Sequence, residues 1–95
     1  MVEYLYDAIR VSGGHDATIT AKIYNDAGDA VIEGCMLMIH SAEEHLFDIM
    51  GEYVDETWFF TIPAEKTKEL NGRYWYCICS ADTDLCFKQP IYFLR

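Results

Sequence analysis

The chain has 95 residues, of which 52% are hydrophobic and 15% aromatic, which indicates one globular domain with a modest core and excludes a disordered chain. Seven Lys and Arg against sixteen Asp and Glu give a net charge of −9. A chain this acidic is repelled by phosphate backbones, so nucleic-acid binding is not expected. No apolar run approaches the ~20 residues that span a bilayer, and the N-terminus has no signal-peptide pattern, so we expect no membrane contact and reduced thiols.

The first half of the chain predicts short strands. Residues 16–24, DATITAKIY, alternate apolar and polar side chains, which is typical of a half-buried strand. The segment NDAGD at 25–29 has turn chemistry, and 30–32 is a candidate short edge strand. CMLMIHS at 35–41 predicts a further strand.

The second half continues the pattern. Residues 45–54 predict a strand interrupted by Gly51, and ETWFFTI at 56–62 predicts one that ends at Pro63, because proline cannot donate to a ladder. AEKTKEL at 64–70 is expected to form at most one or two helical turns. Strands follow at 74–80 and 85–94, with a turn at 81–84 and with Pro90 at a bulge or an edge position.

About seven short strands, with turn signals roughly every eight to twelve residues and no helical period, predict an all-β sandwich with Greek-key connections. We expect residues 1–95 to form a single domain.

Several motifs in the sequence resemble those of a known protein family. Gly14-His15-Asp16 precedes the first predicted strand, DAGD forms the turn after it, and TIPAEKTKELNGRYWYCI covers 61–78. This sequence resembles the small immunoglobulin-like β-sandwich of tailed-phage and prophage structural proteins, and is similar to the N-terminal domain of phage baseplate upper proteins. The resemblance spans roughly residues 8 to 94, and the family's pattern falls on these positions: Ile62, Pro63, Thr67, Leu70, Gly72, Tyr74 and Tyr76.

The resemblance implies an immunoglobulin-like sandwich of antiparallel strands and a virion- or tail-associated role without chemistry. Synthesis would take place in the bacterial host cytoplasm, with the product in the virion if it assembles. The sequence departs from the family pattern in the cysteines of its last hairpin, Cys77, Cys79 and Cys86.

The segment LNGRY at 70–74 has the form of a tyrosine corner, in which the Tyr74 hydroxyl bonds to backbone just upstream and Gly72 takes a positive φ. The alternative is a core tyrosine with a solvated hydroxyl. Either way the motif is structural.

The strand at 74–80 is apolar on both sides. If Tyr74, Tyr76 and Ile78 face the core, the residues between them face outward. In an immunoglobulin-like sandwich this strand adjoins CMLMIHS, so the same alternation turns the methionines and His40 outward too. An apolar patch on an outer face usually marks an interaction surface, and the residues that we predict for protein contact are Met36, Met38, Phe59, Trp75, Cys77 and Cys79.

Two alternatives to this contact surface stay open. The N-terminal segment MVEYLY would cover the patch if it folded across the sheet, and a one-residue register slip would exchange the two faces.

We predict no catalytic site, no cofactor and no metal. The histidines and serines show no spacing typical of nucleophilic catalysis, and Cys77-x-Cys79 lacks the two-residue spacing of a zinc knuckle. A metal site that adds His40 is a minor alternative, as is a cross-strand disulfide between Cys79 and Cys86.

The sequence thus favours a non-enzymatic phage or prophage structural protein that assembles with itself or with other virion proteins. Two alternatives belong to other classes. One is a small acidic inhibitor of a host protein, and the other is a carbohydrate-binding module that uses Trp75 or Trp58 as a stacking platform.

Overall fold

The computed structural model describes residues 2–4, 8–25, 27–80 and 88–94. In that part of the chain nine strands and one short helix follow one another in the order β1 Val2–Tyr4, β2 Ile9–Ser12, β3 Ala17–Ala21, β4 Met36–His40, β5 His45–Met50, β6 Glu52–Val54, β7 Thr57–Ile62, α1 Ala64–Thr67, β8 Gly72–Cys79 and β9 Gln89–Leu94.

The strands form two sheets, one in the order β1-β2-β9-β8-β4-β5 and the other in the order β3-β7-β6. The neighbours β9, β8 and β4 correspond to strands G, F and C of an immunoglobulin-like sandwich, and β3, β7 and β6 to B, E and D. The all-β sandwich is therefore confirmed, and so is the expected place of β8 between the last strand and CMLMIHS.

Two details of the expected architecture differ. The strands β1 and β2 were not predicted, the predicted strand at 45–54 is the two strands β5 and β6, and the candidate strand at 30–32 forms only an isolated bridge between Ala30 and Tyr24. The described chain therefore has nine strands rather than about seven. The pairing of β2 with β9 is parallel, with Ile9 opposite Ile91 and Ser12 opposite Leu94, whereas every other pairing of named strands is antiparallel.

The core lies between the sheets and is built by strict alternation. The six-stranded sheet contributes the inward residues of β2, β4 and β9, and the three-stranded sheet contributes the inward residues of β3 and β7. The indole nitrogen of Trp58 donates to the Val31 carbonyl at 2.7 Å, which satisfies the one polar atom of a side chain only 3% exposed. The largest side chains that are less than 2% exposed are Val11, Leu37, Ile39, Ile91 and Phe93 from the first sheet and Ile19, Phe60 and Ile62 from the second.

Gly51 lies where the chain passes from one sheet to the other. The strand β5 belongs to the six-stranded sheet and β6 to the three-stranded sheet, with Gly51 between them. Its N–H donates to the Cys35 carbonyl at 3.0 Å. A Cβ at this position would lie 2.6 Å from ring carbons of both Trp58 and Phe60, so the crossing brings backbone against the core and requires glycine.

The motifs of the resemblance hold the start of β3 against α1. The Asp16 carboxylate accepts the N–H of Ala64 at 2.7 Å, just after Pro63 ends β7. The Thr67 hydroxyl donates to the His15 carbonyl at 2.8 Å and accepts the Gly14 N–H at 3.2 Å, and this side chain is 0% exposed. These motif residues therefore have structural roles.

The segment at 70–74 agrees only partly with a tyrosine corner. Gly72 has the expected positive φ, of 104°. Within the described residues, however, the Tyr74 hydroxyl makes no hydrogen bond to the upstream backbone, and the ring packs edge-on against Phe93 with 5.7 Å between centroids. Tyr74 is a half-buried core tyrosine, which is the alternative reading of the motif.

Candidate functional site

The register between β4 and β8 decides which side chains face away from the core. Leu37 pairs with Ile78 and Ile39 with Tyr76 on the core side. On the other side, which we call the outer face, the pairs are Met36 with Cys79, Met38 with Cys77 and His40 with Trp75. The expected direction of these side chains is confirmed, while their role in protein contact stays a prediction. We name five of these residues the outer patch: Met36, Met38, Trp75, Cys77 and Cys79.

The side chains of the outer patch pack closely on one another. The Cys79 sulfur lies 3.3 Å from the Met38 sulfur, and the Cys77 sulfur lies 3.7 Å from Nε2 of His40. Cys77 is only 1% exposed, and the other four residues are half-buried. The patch is therefore a second packed layer on the outside of the sheet rather than a set of isolated apolar side chains.

Trp75 lies opposite His40, at one end of the outer patch, beside a basic group and a cavity. The guanidinium of Arg73 lies 4.8 Å from the indole centroid, a cation–π contact. An open cavity of about 370 Å³ adjoins the indole and is lined by Ser41, Ala42, Trp75 and Lys88. The cavity was not predicted, because it depends on which loops meet Trp75 in space. Arg73 lies two residues before Trp75 on β8, so alternation alone places it on the same face, and this signal was missed.

A group of polar side chains borders the patch at the β4–β5 connection. The rings of His40 and His45 meet edge to face at 5.2 Å, and Nε2 of His45 lies 2.5 Å from the Asp48 carboxylate. Burial is the main cause that lowers the pKa of His40, with Lys88 and His45 lowering it further and Asp48 acting in the opposite direction. Near neutral pH, His40 is therefore neutral and packs against the Cys77 thiol.

The contact between His40 and Cys77 has the composition of a nucleophile and its base. Nucleophilic attack also requires that a substrate reach the sulfur, and Cys77 is 1% exposed. The observed arrangement places this sulfur in packing contacts between two strands.

Phe59 lies apart from the other predicted contact residues. It belongs to β7 of the three-stranded sheet, where Trp58 and Phe60 on either side are buried and Phe59 is half-buried on the opposite surface. One flat contact surface cannot include both Phe59 and the outer patch. Because Trp58 is in the core, it cannot serve as a stacking platform for sugars.

The alternative that the N-terminal segment covers the patch fails for the residues that are described. β1 extends the edge of the sheet beside β2, and the Tyr4 hydroxyl accepts the Thr20 N–H at 2.7 Å on the core side. Residues 2–4 therefore close the edge of the sandwich and do not lie over the outer patch.

Within residues 2–4, 8–25, 27–80 and 88–94, no three His, Cys, Asp or Glu side chains come together as a metal site. The possible disulfide between Cys79 and Cys86 involves a residue outside the described part of the chain. Burial raises the pKa of Cys35, which lies in the core rather than on the outer face.

Comparisons of the chain with protein families, curated proteins and solved structures find no match. In the described part of the chain, no helix has the length and apolar character needed to cross a membrane.

Proposed function

We propose that this protein is a non-enzymatic structural component of a phage or prophage particle and that it acts by assembling with further copies of itself or with other virion proteins. The observation that carries the proposal is the outer patch, a packed layer of sulfur and aromatic side chains on the face of the sheet that lies opposite the core. The particle setting rests on the resemblance of the motifs between Asp16 and Tyr76.

The composition of the patch suits a protein interface. Tryptophan and methionine are enriched at the centres of such interfaces, whereas Lys, Glu and Asp are depleted there. The methionines adapt their shape to a partner, and the indole of Trp75 provides a large rigid contact area next to an open cavity. Binding hot spots have this form, an aromatic anchor with a pocket at its side.

The distribution of charge also supports the outer face as a binding surface. The chain carries −9 overall, yet Arg73 and Lys88 lie beside Trp75 on the outer face. An acidic surface of a second copy, or of another virion protein, meets cations at the patch and like charge elsewhere, so electrostatics favours docking of an acidic surface on the patch.

The experiment is a light-scattering measurement of solution mass over a dilution series, under reducing conditions, for the wild type, Trp75→Glu and Phe59→Glu. Phe59 is the matched control, since it is an aromatic on the outside of the other sheet. We expect a concentration-dependent oligomer for the wild type and for Phe59→Glu, and a monomer for Trp75→Glu. The introduced glutamate lies beside Arg73, so the variant should keep the wild-type urea midpoint.

Two results would contradict the proposal. One is a wild type that stays monomeric at every concentration, both alone and when mixed with the other proteins of its particle. The other is a Trp75→Glu variant whose urea midpoint falls sharply, because Trp75 would then be required for the fold rather than for assembly.

A second candidate function is supported by the net charge of −9, which suits a small acidic inhibitor that binds a basic surface of a host protein. A wild-type monomer that binds a basic host protein, and loses that binding at high salt, would favour the inhibitor.

A further inference from the structure

The outer face of the six-stranded sheet has an acidic half and a basic half, which meet along the line between β4 and β8. The half formed by β4, β5 and the loop between them carries three exposed carboxylates, those of Glu43, Glu44 and Asp48. The half formed by β8 and the chain that leads into β9 carries two exposed cations, Arg73 and Lys88. The register fixes this division, since β4 pairs with β5 on one side and with β8 on the other.

The loop between β4 and β5 is held in place by hydrogen bonds of its own. The Ser41 hydroxyl accepts the N–H groups of Glu43 and Glu44 at 3.3 and 3.1 Å. The Ser41 N–H donates to the Glu44 carbonyl at 2.8 Å. Because the start of this loop also lines the cavity beside Trp75, the two glutamates lie on a fixed backbone next to the outer patch.

The two halves do not neutralise each other within one chain. In the part of the chain that the structure describes, the ion pairs join Glu3 to Arg10 and His45 to Asp48. Arg73 instead stacks on the Trp75 indole at 4.8 Å, which uses the flat side of the guanidinium and leaves its N–H groups for a carboxylate. The acidic half and the basic half can therefore both pair with a partner.

We propose that the partner on the outer face is a second copy of the chain, related by a two-fold axis that lies in the plane of contact and runs along the strands between β4 and β8. A half-turn about this axis exchanges the two halves, so the acidic half of each copy faces the basic half of the other. The same rotation brings the outward residues of β4 over those of β8, with Met38 over Cys77 and His40 over Trp75. This inference rests on the proposed assembly function and identifies its partner.

Packing and charge both favour this arrangement. Two sheets that pack face to face keep their strand directions within about 30° of each other, and an axis parallel to the strands meets that condition. Copies of a chain with a net charge of −9 repel one another in most orientations. The two-fold orientation is favoured because each contact between the halves joins opposite charges, whereas like charges in contact are strongly unfavourable.

The test reverses the charge of each half and measures solution mass by light scattering over a dilution series, at low salt and under reducing conditions. Glu43→Lys with Glu44→Lys, and Arg73→Glu with Lys88→Glu, should each weaken dimerisation at least about tenfold, since like charges then meet across the contact. An equimolar mixture of the two variants should form a dimer again. A chain with all four substitutions, which keeps the net charge of −9, should dimerise as the wild type does.

The matched control is Glu52→Lys with Glu56→Lys, which changes the net charge by the same amount as the reversed acidic pair. Both residues are exposed and belong to β6 and the turn after it, on the other sheet. This control should dimerise at least as tightly as the wild type. All of the substituted residues are exposed, so every variant should keep the wild-type urea midpoint.

The two-fold pairing is overturned by a mixture that stays monomeric, by a mixture that assembles beyond a dimer, or by charge-reversed variants that dimerise as tightly as the wild type. In the last case a monomeric Trp75→Glu would leave the assembly proposal standing, with a different arrangement of the copies. A wild type that binds only other proteins of the particle would likewise overturn the pairing and not the assembly role.

Discussion

Substituting alanine for Gly51 tests the point at which the chain changes sheets. The added Cβ would lie 2.6 Å from Cε1 of Phe60 and 2.6 Å from Cε3 of Trp58, where ordinary contact begins at 3.4 Å. Both rings must therefore yield by about 0.8 Å. Phe60 is 0% exposed and Trp58 is tied to the Val31 carbonyl, so neither ring has free space into which it can move.

The expected cost follows from these contacts. Overpacking a well-filled core typically costs about 1–3 kcal/mol, and the lower entropy of the unfolded chain with alanine returns about 0.4–1 kcal/mol. We expect Gly51→Ala to lower the free energy of unfolding by about 1–2 kcal/mol. In a domain of this size that lowers the Tm by roughly 5–15 °C.

A double-mutant cycle by urea denaturation identifies the cause. Phe60→Leu removes one of the two clashing rings, so Gly51→Ala should cost at least about 0.5 kcal/mol less in that background. The control is Phe93→Leu, also in the core but on β9, which should give no such relief. A Gly51→Ala variant as stable as the wild type, or equal relief from both leucine variants, would refute this account of the crossing.

Three further predictions concern single side chains. Burial lowers the pKa of His40 below the ~6.5 of an exposed histidine, so the unfolded chain binds the proton first, and the stability present above pH ~6.5 is lost as pH falls toward the folded-state pKa. The urea midpoint of His40→Gln should therefore fall less between pH 7 and pH 5 than that of the wild type. An equal fall in the two proteins would contradict this. Thr67→Val removes two part-buried hydrogen bonds, one to the His15 carbonyl and one from the Gly14 N–H, and should cost about 1–3 kcal/mol in urea. Thr67→Ser should cost less, and equal losses would show that packing, not the hydroxyl, matters. Asp55 and Glu56 have φ of 50° and 63° in the two-residue turn between β6 and β7. Glu56→Gly should therefore raise the free energy of unfolding by about 0.5–1 kcal/mol, and with it the Tm. A lower Tm would show that the turn has no left-handed strain to relieve.

Much of the fold could be predicted because alternation is a local signal. Ala17 and Ile19 in β3, and Trp58, Phe60 and Ile62 in β7, show period two within a few residues of sequence. The same alternation correctly separated the two faces of β8, since a strand must place successive side chains on opposite sides.

The parts that were missed depend on contacts between distant residues. β2 is four residues long, and its partner β9 lies about eighty positions further along the chain, so no local pattern marks it as a strand. Phe59 was correctly expected to face outward, but alternation does not tell on which sheet it lies. The contact between Met38 and Cys79 is diagonal across two strands and follows only from their register.

The central claim is that the outer patch, and not the outside of the other sheet, is the surface of assembly. Hydroxyl-radical footprinting of the wild type, diluted and concentrated, reads the accessibility of each side chain by mass spectrometry. We predict that oxidation of Trp75, Met36 and Met38 falls in the concentrated sample, while that of Phe59 and of Tyr24, which is 54% exposed, stays constant. Protection of Phe59 with unchanged oxidation of Trp75 would place the contact on the three-stranded sheet and contradict the account.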